Sequence, residues 1–147
     1  MGYIEDNLMD QEKIIYQTHS HKIIFLWPII ELVAAIGSFL AGVVDVAGIL
    51  FLVALIHGII VFIKYISSEF GLTDHRLIVK EGIIKRETQE LFLKRIESIQ
   101  VDQSVMGRML NFGTILVSGT GGQSDPFENI PDPLGFKKRV QEQLRDL

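Results

Sequence analysis

Two long apolar stretches constrain this chain more than anything else in it. From Ile23 to Val44 there are 22 residues whose only charge is Glu31, and from Val46 to Ile63 another 18 carry no charge at all. A hydrocarbon core of about 30 Å needs roughly 20 residues at about 1.5 Å each, so both stretches suit a membrane span, the second at the short end. Asp45 separates them, and Gly42, Asp45 and Gly48 cluster there. That cluster predicts a tight turn and a helical hairpin instead of one long helix. The alternative is a pair of core helices in a soluble protein. In 147 residues, however, too little mass remains to cover two helices that are apolar all round. The 48% apolar content points the same way.

The flanks set the expected orientation. Lys13 and Lys22 precede the first stretch, Lys64, Arg76 and Lys80 follow the second, and the connecting turn has no basic residue, which predicts cytoplasmic termini on both sides of a two-span hairpin. A secretory signal opens basic with a short apolar core, whereas this chain opens with Glu5, Asp6, Asp10 and Glu12, so no cleavage is expected. Cysteine is absent, which removes disulfides and thiolate chemistry. Trp27 and Tyr65 lie 18 residues before and 20 after Asp45, the spacing of two aromatic anchors at one membrane interface.

Counted from the same pivot, Glu31 and His57 fall within about 3 Å of equal depth. An ionised carboxylate near mid-membrane costs about 2.5–3.5 kcal/mol, so a Glu31–His57 hydrogen bond is expected. It would join a face of Glu31, Ala35, Ser38 and Gly42 to a face of Leu50, Ala54, His57 and Val61, where small residues permit close approach. A polar clasp between helices or between copies of the chain explains the pair better than a proton relay, because one acid and one imidazole do not make a pathway.

After Tyr65 the pattern changes to short alternating stretches broken by glycine and polar turns, as antiparallel strands require. Phe70 and Leu72 alternate, then Leu77 and Val79, with a hairpin turn at Gly82 and a third strand from Ile83 to about Leu93. Ile99 and Val101 alternate next; Val105–Leu110 reads as a helical turn, and Thr114–Ser118 as another strand. Asp132 as N-cap, Pro133 as first helical residue, and Phe136, Val140, Leu144 and Leu147 at helical spacing predict a closing amphipathic helix. The domains expected are an N-terminal segment over residues 1–22, a two-helix hairpin over 23–63 (spans 23–44 and 46–63), and a small helix-capped barrel or sandwich over 67–147.

Several local words occur in a telling order: Gly71-Leu72-Thr73-Asp74-His75-Arg76-Leu77-Ile78-Val79-Lys80-Glu81-Gly82, Arg95-Ile96-Glu97-Ser98-Ile99-Gln100-Val101-Asp102-Gln103-Ser104, Gly107-Arg108-Met109-Leu110-Asn111-Phe112-Gly113-Thr114 and Ile130-Pro131-Asp132-Pro133. Glu12-Lys13-Ile14-Ile15-Tyr16, then His19 and the two-span hairpin, precede them. In this the chain resembles the bacterial pleckstrin-homology-like (PH-like) domain of small membrane proteins of the YdbS type, over nearly its whole length. Where that family often has glycine, this chain has Asn111, which tolerates the same left-handed turn. The resemblance implies that residues at about 12–20 form a strand joining the cytoplasmic sheet, so that the domain is discontinuous around its anchor.

None of these words is catalytic. Ser118-Gly119-Thr120-Gly121-Gly122-Gln123-Ser124 lacks the lysine of a phosphate loop and sits between strands, so it reads as a hairpin loop without cofactor. His19 and His21 lack a third ligand nearby, and His75 has no nucleophile beside it, so neither metal binding nor catalysis is expected. Basic residues in the first hairpin, Lys80, Lys85 and Arg86, and the run Lys137-Lys138-Arg139 are the candidate contacts for lipid or a protein partner. Yet Ser67–Leu147 holds 11 Lys or Arg against 12 Asp or Glu, which gives little pull on anionic lipid and disfavours nucleic acid. The expectation is a non-enzymatic interaction module held in membrane lipid, with a protein partner or self-association. Lipid-headgroup recognition and a transport accessory using Glu31 and His57 are the alternatives.

Overall fold

A computed structural model of the chain describes residues 2–82, 87–122 and 124–147. In chain order the elements are α1 (Tyr3–Asp6), β1 (Ile14–Thr18), α2 (Leu26–Leu40), α3 (Val44–Ser67), β2 (Glu69–Thr73), β3 (Arg76–Glu81), β4 (Glu87–Phe92), β5 (Ile96–Asp102), α4 (Val105–Leu110), β6 (Phe112–Gly119), β7 (Ser124–Pro131) and α5 (Pro133–Arg145). They form two compact units, one of Lys22–Ile66 and one of Met1–His21 with Ser67–Leu147.

The first unit is the helical hairpin. Lys22–Phe25 is a 3-10 turn, and regular α-helix begins at Leu26. Pro28 accounts for the change, since it has no N–H to offer the carbonyl four residues back. Helix α2 ends at Leu40, not Val44, in a Schellman cap: the Val43 N–H donates to the Ser38 carbonyl and the Gly42 N–H to that of Phe39, both at 3.0 Å, with Gly42 at φ 81°. The reversal therefore precedes Asp45, which occupies the first turn of α3, where a carboxylate suits the helix dipole. The apolar helices run Lys22–Leu40 and Val44–Ser67, and most of their residues are not buried within the protein.

The second unit is built from two antiparallel sheets, ordered β1-β2-β3-β4 and β5-β6-β7. Phe70, Leu72, Leu77 and Val79 of the first sheet face Ile99, Ile115, Val117, Phe127 and Ile130 of the second. Helix α5 closes the core with Phe136 and Val140, while Leu144 packs at its margin. Leu147 lies beyond the helix end and is 56% exposed, so it does not extend the buried stripe. The start of the third strand expected from Ile83 lies outside the described residues; β4 is described from Glu87.

Strand β1 is the edge of the four-stranded sheet and pairs Tyr16 with Leu72, Gln17 with Gly71 and Thr18 with Phe70. The chain thus leaves this unit after His21 and returns at Ser67 beside neighbouring, paired strands. Ahead of β1, the segment from Gly2 crosses the outer face of the sheet. Ile4 is fully buried there and fills the space over Gly71, where a Cβ would lie 2.5 Å from its Cδ1. That cover is why all five residues of β2 are buried although only alternate ones face the core.

Candidate functional site

The hairpin seam follows a seven-residue period. Pro28 and Ala35 are buried on α2, and Ala47, Ala54 and Val61 on α3, with Glu31, Ser38, Leu50 and His57 half-buried between them. This is the spacing of helices that pack side by side through small residues. Gly42, assigned from the sequence to the same face, sits in the exposed turn. His57 Nδ1 lies 2.9 Å and 3.1 Å from the two Glu31 carboxylate oxygens. The glutamate side chain is 25% exposed and the imidazole 37%. Tyr65 packs its ring on Phe25 at 5.5 Å, whereas Trp27 is 66% exposed.

The sheet unit holds a buried polar cluster with no precedent in the local sequence pattern. The Arg76 guanidinium, 4% exposed, donates from Nε to Glu12 Oε1 and from Nη2 to Glu12 Oε2, both at 2.9 Å. It also donates to Glu90 and, at 2.8 Å, to the Asn7 carbonyl. The Thr73 hydroxyl donates to Glu12 (2.6 Å) and accepts from the Arg76 N–H (3.0 Å), and the Met9 N–H donates to Glu12 (2.8 Å). Burial alone would raise the Glu12 carboxyl; its bonds from Arg76, Met9 and Thr73 outweigh this and hold it below the ordinary carboxylate range. Asp74 extends the bracket by accepting from the Lys13 N–H (3.0 Å) and from His75 Nδ1 (2.8 Å), and both bonds lower its pKa. These groups pin the N-terminal segment across the β2–β3 turn. Their polar atoms are turned on one another, an arrangement suited to structure.

The basic candidates are dispersed. Lys80 Nζ sits 4.8 Å over the Tyr3 ring and the Arg139 guanidinium 4.6 Å over Tyr16, so both cations are taken up by aromatic faces. Lys138 lies 3.9 Å from Glu142 at the surface, and Lys137 is half-buried on the same helix. Lys85 and Arg86 lie outside the described residues. His21 stacks on Phe112 at 5.2 Å; His19 borders a cleft with Glu5, Gln17 and Glu69. Among the described residues no group of three or more His, Asp or Glu is arranged to hold a metal ion.

Comparison with known proteins adds to this geometry. A family model described as Bacterial PH domain matches residues 29–145, which takes in most of the hairpin and every strand but β1. The chain belongs to this family. As a bacterial PH domain it is 25% identical over 114 residues to the "UPF0699 transmembrane protein YdbT" of Bacillus subtilis (strain 168). That match covers 75% of the chain but 21% of the relative, so the chain spans about a fifth of that protein's length. Among solved structures it is similar to the "Vps36 N-terminal PH domain", with a TM-score of 0.50, 12% identity, and cover of 95% of this chain and 83% of that one. At such identity the likeness concerns the fold. The PH-like architecture with a helical hairpin, expected from the order of the sequence words, is present.

What sequence reasoning missed in this bacterial PH domain is the Glu12–Thr73–Arg76–Glu90 cluster. Its signal was weak: Glu12 and Arg76 stand 64 residues apart on opposite sides of the hairpin, and Thr73-Asp74-His75-Arg76 looks like an ordinary turn.

Proposed function

We propose that this protein is a membrane-anchored, non-enzymatic interaction module. Its hairpin lies in the bilayer, and its PH-like domain works at the cytoplasmic face of the inner or plasma membrane, where an exposed sheet edge or loop meets a protein partner. One observation carries the reading. The hairpin turns large apolar side chains outward along its whole length, among them Val33 (62%), Leu52 (58%), Ile56 (60%) and Ile60 (59%), which only lipid or another apolar surface can cover. Tethering then raises the effective concentration of any membrane-bound partner, so a small interface suffices. PH-like domains are generally non-catalytic, and the most buried charged groups here are consumed in bracing the fold. Lipid-headgroup recognition is the weaker reading, because Lys80 and Arg139 already rest on rings and the domain lacks a basic surplus.

Within the hairpin the Glu31–His57 pair acts as a clasp. His57→Leu leaves the carboxyl without its partner and is expected to cost about 1 kcal/mol, read as a lower Tm in detergent; an unchanged Tm removes the clasp. The anchor itself is tested by fractionation and by a Leu147→Cys label. The full chain should resist alkaline extraction, and the label should react only after the cells are opened. A monomer soluble in detergent-free buffer, or labelling of intact cells from outside, overturns the reading. The partner is sought by crosslinking full-length protein in native membranes, and recovery no different from the hairpin alone sinks the interaction role.

A further inference from the structure

Helix α4 has only six residues, yet Val105 (68%), Met106 (50%), Met109 (80%) and Leu110 (49%) are all exposed on it. Leu134, 59% exposed at the start of α5, belongs to the same corner, because the Asp132 N–H donates to the carbonyl of Asn111, which caps α4 (3.0 Å). Apolar exposure concentrated on one short helix and the helix end hydrogen-bonded beside it marks a contact surface.

What the corner is joined to identifies the occupant. Phe112, one residue past the α4 cap, stacks on His21, and the His21 N–H donates to the Asn129 carbonyl (2.6 Å). The next residue, Lys22, opens the first apolar helix. The point at which the chain departs for the hairpin is therefore fixed to the end of α4. Methionine adapts to an irregular apolar surface, and the exposed Arg108 can keep its charge at phosphate level while its stem lies along the apolar face.

We propose that α4 and Leu134 insert into the boundary between headgroups and acyl chains of the membrane that holds the hairpin, so that the domain rests on lipid through apolar contact and not through headgroup charge. The proposal rests on the hairpin lying in a bilayer, and its test separates the two. Because the chain has no cysteine, single sites can be labelled. Full-length Met109→Cys, Ile56→Cys and Glu97→Cys, each carrying an environment-sensitive fluorophore, are reconstituted in vesicles of phosphatidylethanolamine and phosphatidylglycerol and quenched by spin-labelled lipid or by aqueous iodide. Matching melting curves confirm that the substitutions leave the fold intact. Ile56→Cys should report deep lipid and Glu97→Cys water. Met109→Cys should report shallow lipid, with blue-shifted emission and several-fold stronger quenching from lipid than the Glu97 site. A water-like signal at Met109 beside a lipid-like signal at Ile56 overturns the proposal alone, and a water-like signal at Ile56 overturns the anchor reading. A Met109 site that is shielded in native membranes but wet in pure lipid assigns the corner to a protein partner and likewise overturns the proposal.

Discussion

All three nitrogens of the Arg76 guanidinium are committed inside the domain, to Glu12, Glu90 and the Asn7 carbonyl. Such a pair is worth little against a well-packed apolar replacement but a great deal against the loss of one partner, which strands a buried charge. Arg76→Met should therefore cost about 3–5 kcal/mol, seen in thermal unfolding of the detergent-solubilised chain, and Glu12→Met combined with Arg76→Met should cost less than Arg76→Met alone. If the double variant is the weaker of the two, Glu12 is not the group left stranded. Glu12 also sets a pH dependence. Its carboxyl is held below the ordinary value of 4.5 when folded, so its contribution is present above that value and disappears as pH falls through the lower folded one. Glu12→Gln should flatten the acid-side loss of stability, and an identical acid limb in both proteins would exclude Glu12 as its source. None of this was legible in the residues themselves, for a charged pair distant in sequence leaves no local pattern. Asn111 is the opposite case: its tolerance of a left-handed turn was readable from side-chain chemistry, and it caps α4 at φ 56°.

Elements were legible where periodicity or capping chemistry was strong. Ser104 caps α4 by accepting from the Gly107 N–H, and Asp132 caps α5 by accepting from that of Gly135. Strand β7 was not foreseen, because Pro126 and Pro131 argue against a strand. It forms as a sheet edge, where a missing N–H costs nothing, and it bulges at Asn129 (φ 56°) between the Gly113 and Ile115 pairings. The short helix α1 was equally hidden, since four residues have no period to detect. Its role is to set Ile4 on Gly71, and this carries a prediction. Gly71→Ala places a methyl 2.5 Å from Ile4 Cδ1 and should destabilise by about 1–3 kcal/mol through overpacking. Adding Ile4→Val removes the offending methyl and should recover part of the loss in a double-mutant cycle. Strict additivity of the two changes would mean that α1 does not press on β2.

At the scale of the whole molecule the PH-like domain is a single sheet unit interrupted in sequence by its own anchor. Thr18 and Phe70 are paired neighbours, so the cut ends of the Lys22–Ile66 unit lie where a short connection can bridge paired strands. Closing a loop of a few flexible residues costs less entropy than closing the long natural insertion, by about 0.6 kcal/mol for each halving of length. Replacing residues 22–66 with a short glycine-serine linker should therefore yield a water-soluble domain in which β1 keeps its pairing, seen as slow amide exchange at Tyr16 and Thr18. Deleting residues 2–21 from the same soluble form should instead expose the outer face of β2 and leave Arg76 without Glu12, which predicts aggregation or a much lower Tm. The two shortened proteins separate two architectures. If the truncated form melts like the linked one, β1 and the segment before it merely decorate a domain complete without them; if it fails while the linked form folds, the residues before the hairpin are as much part of the domain core as those after it.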